Sequence, residues 1–491
     1  MSRTPFLGLS KSRFCEGLQC ERRLWWHVHE PDAPELAVPP SLQAVFATGH
    51  RVGELARERF PGGVIVGHDY WETGAKVADT AAALAARAPA IFEAAFQAGG
   101  VFVAIDALER CRGGHRLVEV KSTTRVKEQF LPDVAIQVHV ARAAGVEVKR
   151  AELMHLDPAC RYPDLSGLFV REDVTAQVKE LLPAIPRQVR RLRAVLDGPL
   201  PEVEPGARCT APYECPFHAR CNEAVPRDHV TNLYKGGRAA AALLAEGIEH
   251  IRDIPEGFEL PAIAARQARA VRARRAVVEP GLGEALRVLV APVAYLDFET
   301  INPAIPVWPG CGPFMAVPVQ MSCHVMGRSG GLRHHAFLAD GPTDPRPALA
   351  DAVVEACDGA ETVVAYNAPF ERRCLEHLAA SVPGRRRALL EIARRLVDLL
   401  PIVRDHVYHP GFGGGFGMKA VAPALVPGLD YRALEIGEGA TASAVLEGLL
   451  LGDGALPSGE RRRLRARLLA YCELDTLAMV KVAGALERLA S

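Results

Sequence analysis

Apolar positions change their period along the chain, and the changes mark its elements. From Leu42 to Arg57 they recur at helical spacing. The apolar run VFVAID and the segment HRLVEVKS then read as adjacent strands joined at Cys111 to Gly114. An αβ pattern continues to about Val170, a long helix is expected over roughly Val174 to Leu196, and a Pro- and Cys-rich knot ends near Pro226. From about Thr231 to Val288 strand-like alternation is missing, and helical segments rich in Ala and Arg break at Gly247, Pro255 and Pro261. After Pro292 a new series begins with strand AYLDFET, strands PVQMSCHVM and GLRHHAFL, helix ALADAVVEAC and strand TVVAYN. Helices from Glu371 and Gly384 and a last helix from about Glu460 to Leu489 complete it, with HPGFGGGFGMK as a Gly-rich loop.

A chain of 491 residues exceeds one hydrophobic core. The expected organisation is α/β and multidomain: a first domain over 1–226, a helical connector over 227–288 and a second domain over 289–491. In the connector, KGGRAAAALLAEGIEHIRDIP suggests a helix-turn-helix or helix-hairpin-helix unit with Gly247 as a helix cap, against a simple spacer. No internal repeat or low-complexity tail is present. The start, MSRTPFLGLSKSRFCEG, lacks a secretory signal and no stretch is apolar enough for a membrane span, so a cytoplasmic protein without a membrane partner is expected. Formal net charge is +0, so the total points to no polyanion. Arg187, Arg190, Arg191 and Arg193, then Arg266, Arg269, Arg272, Arg274 and Arg275, then Arg461, Arg462, Arg463, Arg465 and Arg467 form local runs, more commonly solvated helix faces than phosphate contacts.

In AYLDFET, alternation puts Asp297 and Glu299 on one face. Two anions so placed suit Mg²⁺ or Mn²⁺, against the alternative of an exposed acidic edge strand. In YCELD, Tyr471 and Asp475 lie four apart on one helical face. The order DFE, YNAPFE, YCELD resembles the DEDD exonuclease superfamily, whose motifs occur in this order on an RNase-H-like fold. That resemblance implies metal ligation by Asp297, Glu299 and Asp475, a nucleophile-positioning role for Tyr471, and 3′ to 5′ exonuclease action. Glu371 stands where the superfamily has aspartate, and its other reading is a helix-start residue favoured by the dipole. Asn367 and Phe370 complete the motif as cap and core. Lys419, in the loop FGMKAV, is a candidate phosphate contact or a solvated lysine.

In RLVEVKS, Glu119 and Lys121 share a face, and Asp106 ends the preceding apolar strand. This reads as the PD-(D/E)xK signature, with Asp106 and Glu119 as divalent-ion ligands and Lys121 orienting water or offsetting phosphate charge. Gln137, one helix later, matches the glutamine of RecB-type nucleases; the tyrosine four residues on is replaced by Ala141. His50 in FATGHRVGELA is either a metal ligand or a polar helix residue. Cys20 and then Cys209, Cys215 and Cys221, with Cys15 as a spare, are arranged as in iron-sulfur RecB-family nucleases. The resemblance implies a [4Fe–4S] cluster, with Zn²⁺ as the alternative ligand of four thiolates. Cys111, Cys160, Cys311, Cys323, Cys357, Cys374 and Cys472 read as small apolar residues.

The chain as a whole, through LSKSRF, VEVKS, ELMHLD, YLDFET and YCELDT, resembles a bacterial family that fuses a RecB-like iron-sulfur nuclease to a DEDD-type exonuclease. The implied function is hydrolysis of nucleic acid, chiefly single-stranded DNA or DNA ends, in repair or phage defence. Two alternatives stand beside it: one half cuts while the other is a binding clamp, or neither cuts and the chain is a nucleic-acid-binding scaffold.

Overall fold

The computed structural model describes residues 8–69, 71–221, 225–429, 431, 439–452, 454 and 456–491. The chain is mixed α/β and divides into two compact units, one of Met1–Ala224 with Pro303–Met315, the other of Val225–Asn302 with Ala316–Ser491. The segment 227–288 thus belongs to the second unit. Among the described residues no helix is long and apolar enough to cross a membrane.

The first unit is built on a seven-stranded sheet. Its strands are β1 (Leu9–Ser10), β2 (Val64–Ile65), β3 (Ala90–Ala98), β4 (Val101–Cys111), β5 (Gly114–Val120), β6 (Val148–Leu156) and β7 (Phe169–Asp173). The order is β2-β3-β4-β5-β6-β7, with β1 pairing β4 in parallel. β4 and β5 form the expected hairpin, with Arg110 opposite His115 and Cys111 opposite Gly114. Its turn needs Gly113 at φ +79°, which a residue with a Cβ rarely adopts. β3 was not expected: its residues are buried on both faces, so alternation never appears. Helix Leu131–Ala143 covers the sheet and buries Val134, Ile136, Gln137, Val138 and Val140. The helix expected over Val174 to Leu196 is instead two, Thr175–Leu181 and Ile185–Asp197, separated by a 3₁₀ turn at Leu182–Ala184. Pro183 and Pro186 cannot donate helical hydrogen bonds and force the interruption.

In the second unit, β8 (Val277–Val278) pairs with β14 (Val407–Tyr408). This short strand corrects the all-helical reading of the connector. The helix Gly237–Ala245 ends with Gly247 at φ +77°, and the Ile248 N–H donates to the Leu243 carbonyl, closing the expected cap. The main sheet comprises β9 (Val293–Ile301), β10 (Val317–Met326), β11 (Leu332–Leu338), β12 (Thr362–Ala365) and β13 (Leu396–Asp398), in the order β11-β10-β9-β12-β13. β9 pairs antiparallel with β10 and parallel with β12. It is therefore a central strand, which removes the acidic-edge alternative for Asp297 and Glu299.

One face of this sheet packs Leu296, Phe298 and Cys323 against helices Arg346–Ala356, Pro369–Ser381 and Arg386–Arg394. The opposite face packs Val293 and Tyr295 against a core shared with Met479 and Val482 of helix Ser458–Ala490. Strand alternation turns Asp297 and Glu299 to this second face. Lys419 is not in a loop, since it lies in the first turn of helix Met418–Leu425, whose N-cap is Gly417.

The arginine runs are partly internal. Arg266 is buried, pairs with Glu279 and donates to the carbonyls of Arg404 and Asp405. Arg465 donates to the carbonyls of Leu338 and Ala339. Neither guanidinium is a free phosphate contact.

Candidate functional site

In the second unit, carboxylate oxygens of Asp297, Glu299 and Asp475 lie within 4.8 Å of one another. Two come from β9 and one from the long last helix, so sheet and helix must pack before the group exists. Burial and then the charges of Asp475 and Glu299 push Asp297 well above the usual carboxylate range. Burial and Asp475 push Glu299 up to about 8. Asp475 rises to about 6, its burial opposed by the Tyr431 hydroxyl, Lys419 and the Tyr471 hydroxyl. Such crowding is relieved by cations, and an all-oxygen donor set fits Mg²⁺ or Mn²⁺.

Glu371 stands in the first turn of helix Pro369–Ser381 and is buried, with its Oε2 unpartnered. It lies outside the tight trio, yet its charge reaches both Asp297 and Glu299. Burial pushes Glu371 itself up to about 8. Ala368 caps that helix, and the Asn367 N–H donates to Asp398 from a backbone at φ +71°. Phe370 packs against the core.

Tyr471 and Lys419 flank the trio: Lys419 Nζ donates to the Tyr471 hydroxyl at 3.3 Å and stands 5.3 Å over its ring. Cys472, expected to be inert packing, donates its thiol to Asp297 Oδ2 at 3.4 Å. The other scattered cysteines are buried except for part-exposed Cys111, and Cys160 donates its thiol to the Asp164 carbonyl at 3.4 Å.

In the first unit, Glu119 is 2% exposed in its side chain and fully engaged. It accepts from Lys11 Nζ at 3.0 Å and Lys121 Nζ at 2.8 Å through one oxygen and from Gln137 Nε2 at 2.9 Å through the other. Lys121 also donates to Asp133 Oδ2 at 2.7 Å. Asp106 accepts from the Val120 N–H at 2.7 Å and lies 3.9 Å from Lys11 Nζ. Burial, then repulsion by Glu119, raises Asp106 to about 7. For Glu119 burial acts the same way, but Lys11 and Lys121 outweigh it and hold the carboxyl well below its ordinary value.

Lys11 and Asp133 were not singled out in the sequence. Asp133 precedes Gln137 by four residues on one helix, a detectable signal; Lys11 lies 108 residues before Glu119 and gives no local one. Beside Lys121 and Asp133 opens a cavity of about 370 Å³, lined also by Cys15, Gln19, Phe130 and Tyr213. His50 is exposed on helix Pro40–Arg57 and has no hydrogen bond or ion pair among the described residues. Among the described residues it offers no donor atom within 4.8 Å of those of Asp106 and Glu119 together.

Cys20 joins helices Lys11–Gln19 and Glu21–His29. Both Cys20 and Cys221 act on the buried Cys215 thiol, which burial raises, and the Cys215 N–H donates to the Cys209 carbonyl at 2.8 Å. Gln19 holds the knot from outside, donating to the carbonyls of Arg208 and Tyr213. No three of these four sulfurs lie within 4.8 Å of one another among the described residues. Cys15 belongs elsewhere, beside Lys121 and Asp133.

A family model described as a domain of unknown function (DUF2779) matches residues 294–417. The matched stretch carries Asp297, Glu299 and Glu371 but ends before Lys419, Tyr471 and Asp475. No curated protein and no solved structure matches the chain.

Proposed function

We propose that the protein is a metal-dependent nuclease that hydrolyses phosphodiester bonds of single-stranded DNA or DNA ends, with a 3′ to 5′ exonuclease site in its second unit. One observation carries the reading: Asp297, Glu299 and Asp475, 178 positions apart at the extremes, present carboxylate oxygens within 4.8 Å of one another beside Tyr471 and Lys419. A five-stranded mixed sheet with two of these acids on its central strand supports an RNase-H-like fold. Asp297, Glu299, Asp475 and, behind them, Glu371 would hold two divalent cations, which supply water activation and leaving-group stabilisation. Tyr471 orients the attacking water through its hydroxyl, fixed by Lys419. The Lys419 ammonium offsets charge on the phosphate.

The first unit supports a PD-(D/E)xK reading through Asp106, Glu119, Lys121 and Gln137. The position of Lys11 favours a second view of that site. Its ammonium, with that of Lys121, already engages the carboxylates that a divalent ion would need, and the adjoining cavity would then seat a strand without cutting it. Cys20, Cys209, Cys215 and Cys221 would hold a [4Fe–4S] cluster in preference to zinc. Sulfurs around tetrahedral Zn²⁺ sit about 3.8 Å apart, from a bond near 2.3 Å, and no three of these lie so close. Anaerobically purified protein should be brown and lose the colour in Cys215→Ser.

The test is digestion of end-labelled single-stranded DNA with Mg²⁺ or Mn²⁺. Asp297→Asn should abolish 3′ to 5′ shortening, and Lys121→Ala should weaken binding with shortening retained. Intact DNA with wild-type protein and both metals would leave a binding scaffold.

A further inference from the structure

We propose that His324, His334 and Glu473 form a separate binding site for a transition-metal ion of the zinc class, outside the acidic trio. His324 and His334 are direct cross-strand partners on β10 and β11, and their rings stack with centroids 4.4 Å apart. Glu473 reaches them from helix Ser458–Ala490, with its Oε1 3.7 Å from His334 Nδ1. One donor atom from each of the three lies within 4.8 Å of the others.

A hydroxyl network behind the rings orients them. His324 Nδ1 is 2.7 Å from Thr476 Oγ1, His334 Nε2 is 2.9 Å from Ser322 Oγ, and the two hydroxyls are 2.7 Å apart. Thr476 Oγ1 donates to the Glu473 carbonyl at 3.1 Å. With that proton committed, Thr476 accepts from both the Ser322 hydroxyl and the His324 ring, and Ser322 accepts from His334. Each imidazole then carries its proton on the nitrogen facing the network, and its other nitrogen holds a lone pair free for a metal. Oriented outer hydrogen bonds of this kind fix the tautomer of metal-ligating histidines.

Two imidazoles and one carboxylate suit zinc and its neighbours, whereas the all-oxygen trio suits magnesium or manganese. Ligands about 2 Å from tetrahedral zinc stand roughly 3.3 Å apart. His334 and Glu473 are exposed and can close the remaining gap, while buried His324 stays fixed. The fourth position is left to water. A bound ion would tie the β10–β11 hairpin to the helical turn between Tyr471 and Asp475. Ser322 of the network is also the cross-strand partner of Asp297. Occupancy would therefore set how firmly the third carboxylate is held against the first two.

The full chain carrying Asp297→Asn, which weakens the acidic trio, is freed of metal and dialysed against micromolar Zn²⁺. The same background with His334→Ala, and separately with Glu473→Gln, is treated in parallel, so thiolate-bound zinc cancels in the comparison. The parent should retain one more equivalent of zinc than the His334→Ala protein, and Glu473→Gln should weaken that equivalent at least tenfold. Zinc should also raise the melting temperature of the parent more than that of His334→Ala. Equal zinc content and equal melting shifts in all three proteins would overturn the proposal. Because DNA digestion is not measured, this outcome is independent of the nuclease reading.

Discussion

Lys11 Nζ lies 3.0 Å from Glu119 Oε1 although 108 residues separate them. The contact joins the first helix to β5 and supplies the second of two cations that keep a carboxylate ionised in a buried place. Replacing Lys11 with Met keeps most of the side-chain volume and removes the charge. Lys121 and Gln137 remain, so Glu119 is not abandoned, and the expected loss of stability is about 2 kcal/mol, that of a charged hydrogen bond. A shifted urea midpoint at unchanged slope measures it. The same variant should bind Mn²⁺ more tightly than wild type, because a competing ammonium has left Asp106 and Glu119. An unchanged Mn²⁺ affinity would show that Lys11 does not obstruct an ion there.

The acidic trio predicts how stability varies with pH in chelator. Glu299 and Glu371 have folded pKa values of about 8, and Asp475 of about 6, all raised by burial. Carboxylates in an unfolded chain titrate near about 4. Between these limits the folded state binds more protons than the unfolded one, so stability falls as pH rises. The contribution is complete below the unfolded values and is lost as pH climbs through the folded ones. Without divalent ions, the melting temperature should therefore drop from about pH 5 to about pH 9. Asp297→Asn combined with Glu299→Gln should flatten the curve and raise its alkaline end. Mg²⁺ should do the same for wild type, since the cations replace the protons.

Tyr471 and Lys419 are tied by a 3.3 Å hydrogen bond next to the trio. Under the nuclease reading the phenol orients a water, so Tyr471→Phe should lower kcat on the order of a hundredfold with KM little changed. Lys419→Met removes the partner of the phenol and a phosphate contact together, and should raise KM as well. Single-turnover and steady-state digestion of labelled DNA separate the two effects. A raised KM with unchanged kcat in both variants would mean that the pair acts only in binding.

What the sequence made legible followed from periodicity. Strand alternation placed Asp297 and Glu299 on one face, and helical spacing placed Tyr471 near Asp475. Periodicity does not reveal neighbours, so the central position of β9 could not be read. Nor could β3, whose two buried faces abolish alternation. The same blindness explains Lys11, which joins its site through tertiary packing alone. His334 was legible as a strand residue within GLRHHAFL, but its significance depends on Ser322 and Thr476, which come from another strand and a distant helix. Cys472 read as inert because its type usually is; only the 3.4 Å approach to Asp297 shows otherwise.

The Gly-rich segment before Lys419 holds a final contrast. Gly414 has φ +90°, and a Cβ built there would meet the backbone oxygen of Asn232 at 2.2 Å. Its N–H donates to the Tyr408 hydroxyl at 2.9 Å, so the loop cannot retreat without breaking that bond. One residue on, a Cβ at Gly415 would meet nothing within 4 Å. Gly414→Ala therefore combines left-handed backbone strain with overlap against another backbone and should cost about 3 kcal/mol. Gly415→Ala should change stability by less than about 1 kcal/mol. Because this loop leads directly into the helix bearing Lys419, under the proposed nuclease function Gly414→Ala should also reduce DNA hydrolysis at temperatures well below its melting point. Comparable melting temperatures for the two variants would show that the close approach to Asn232 relaxes at no cost.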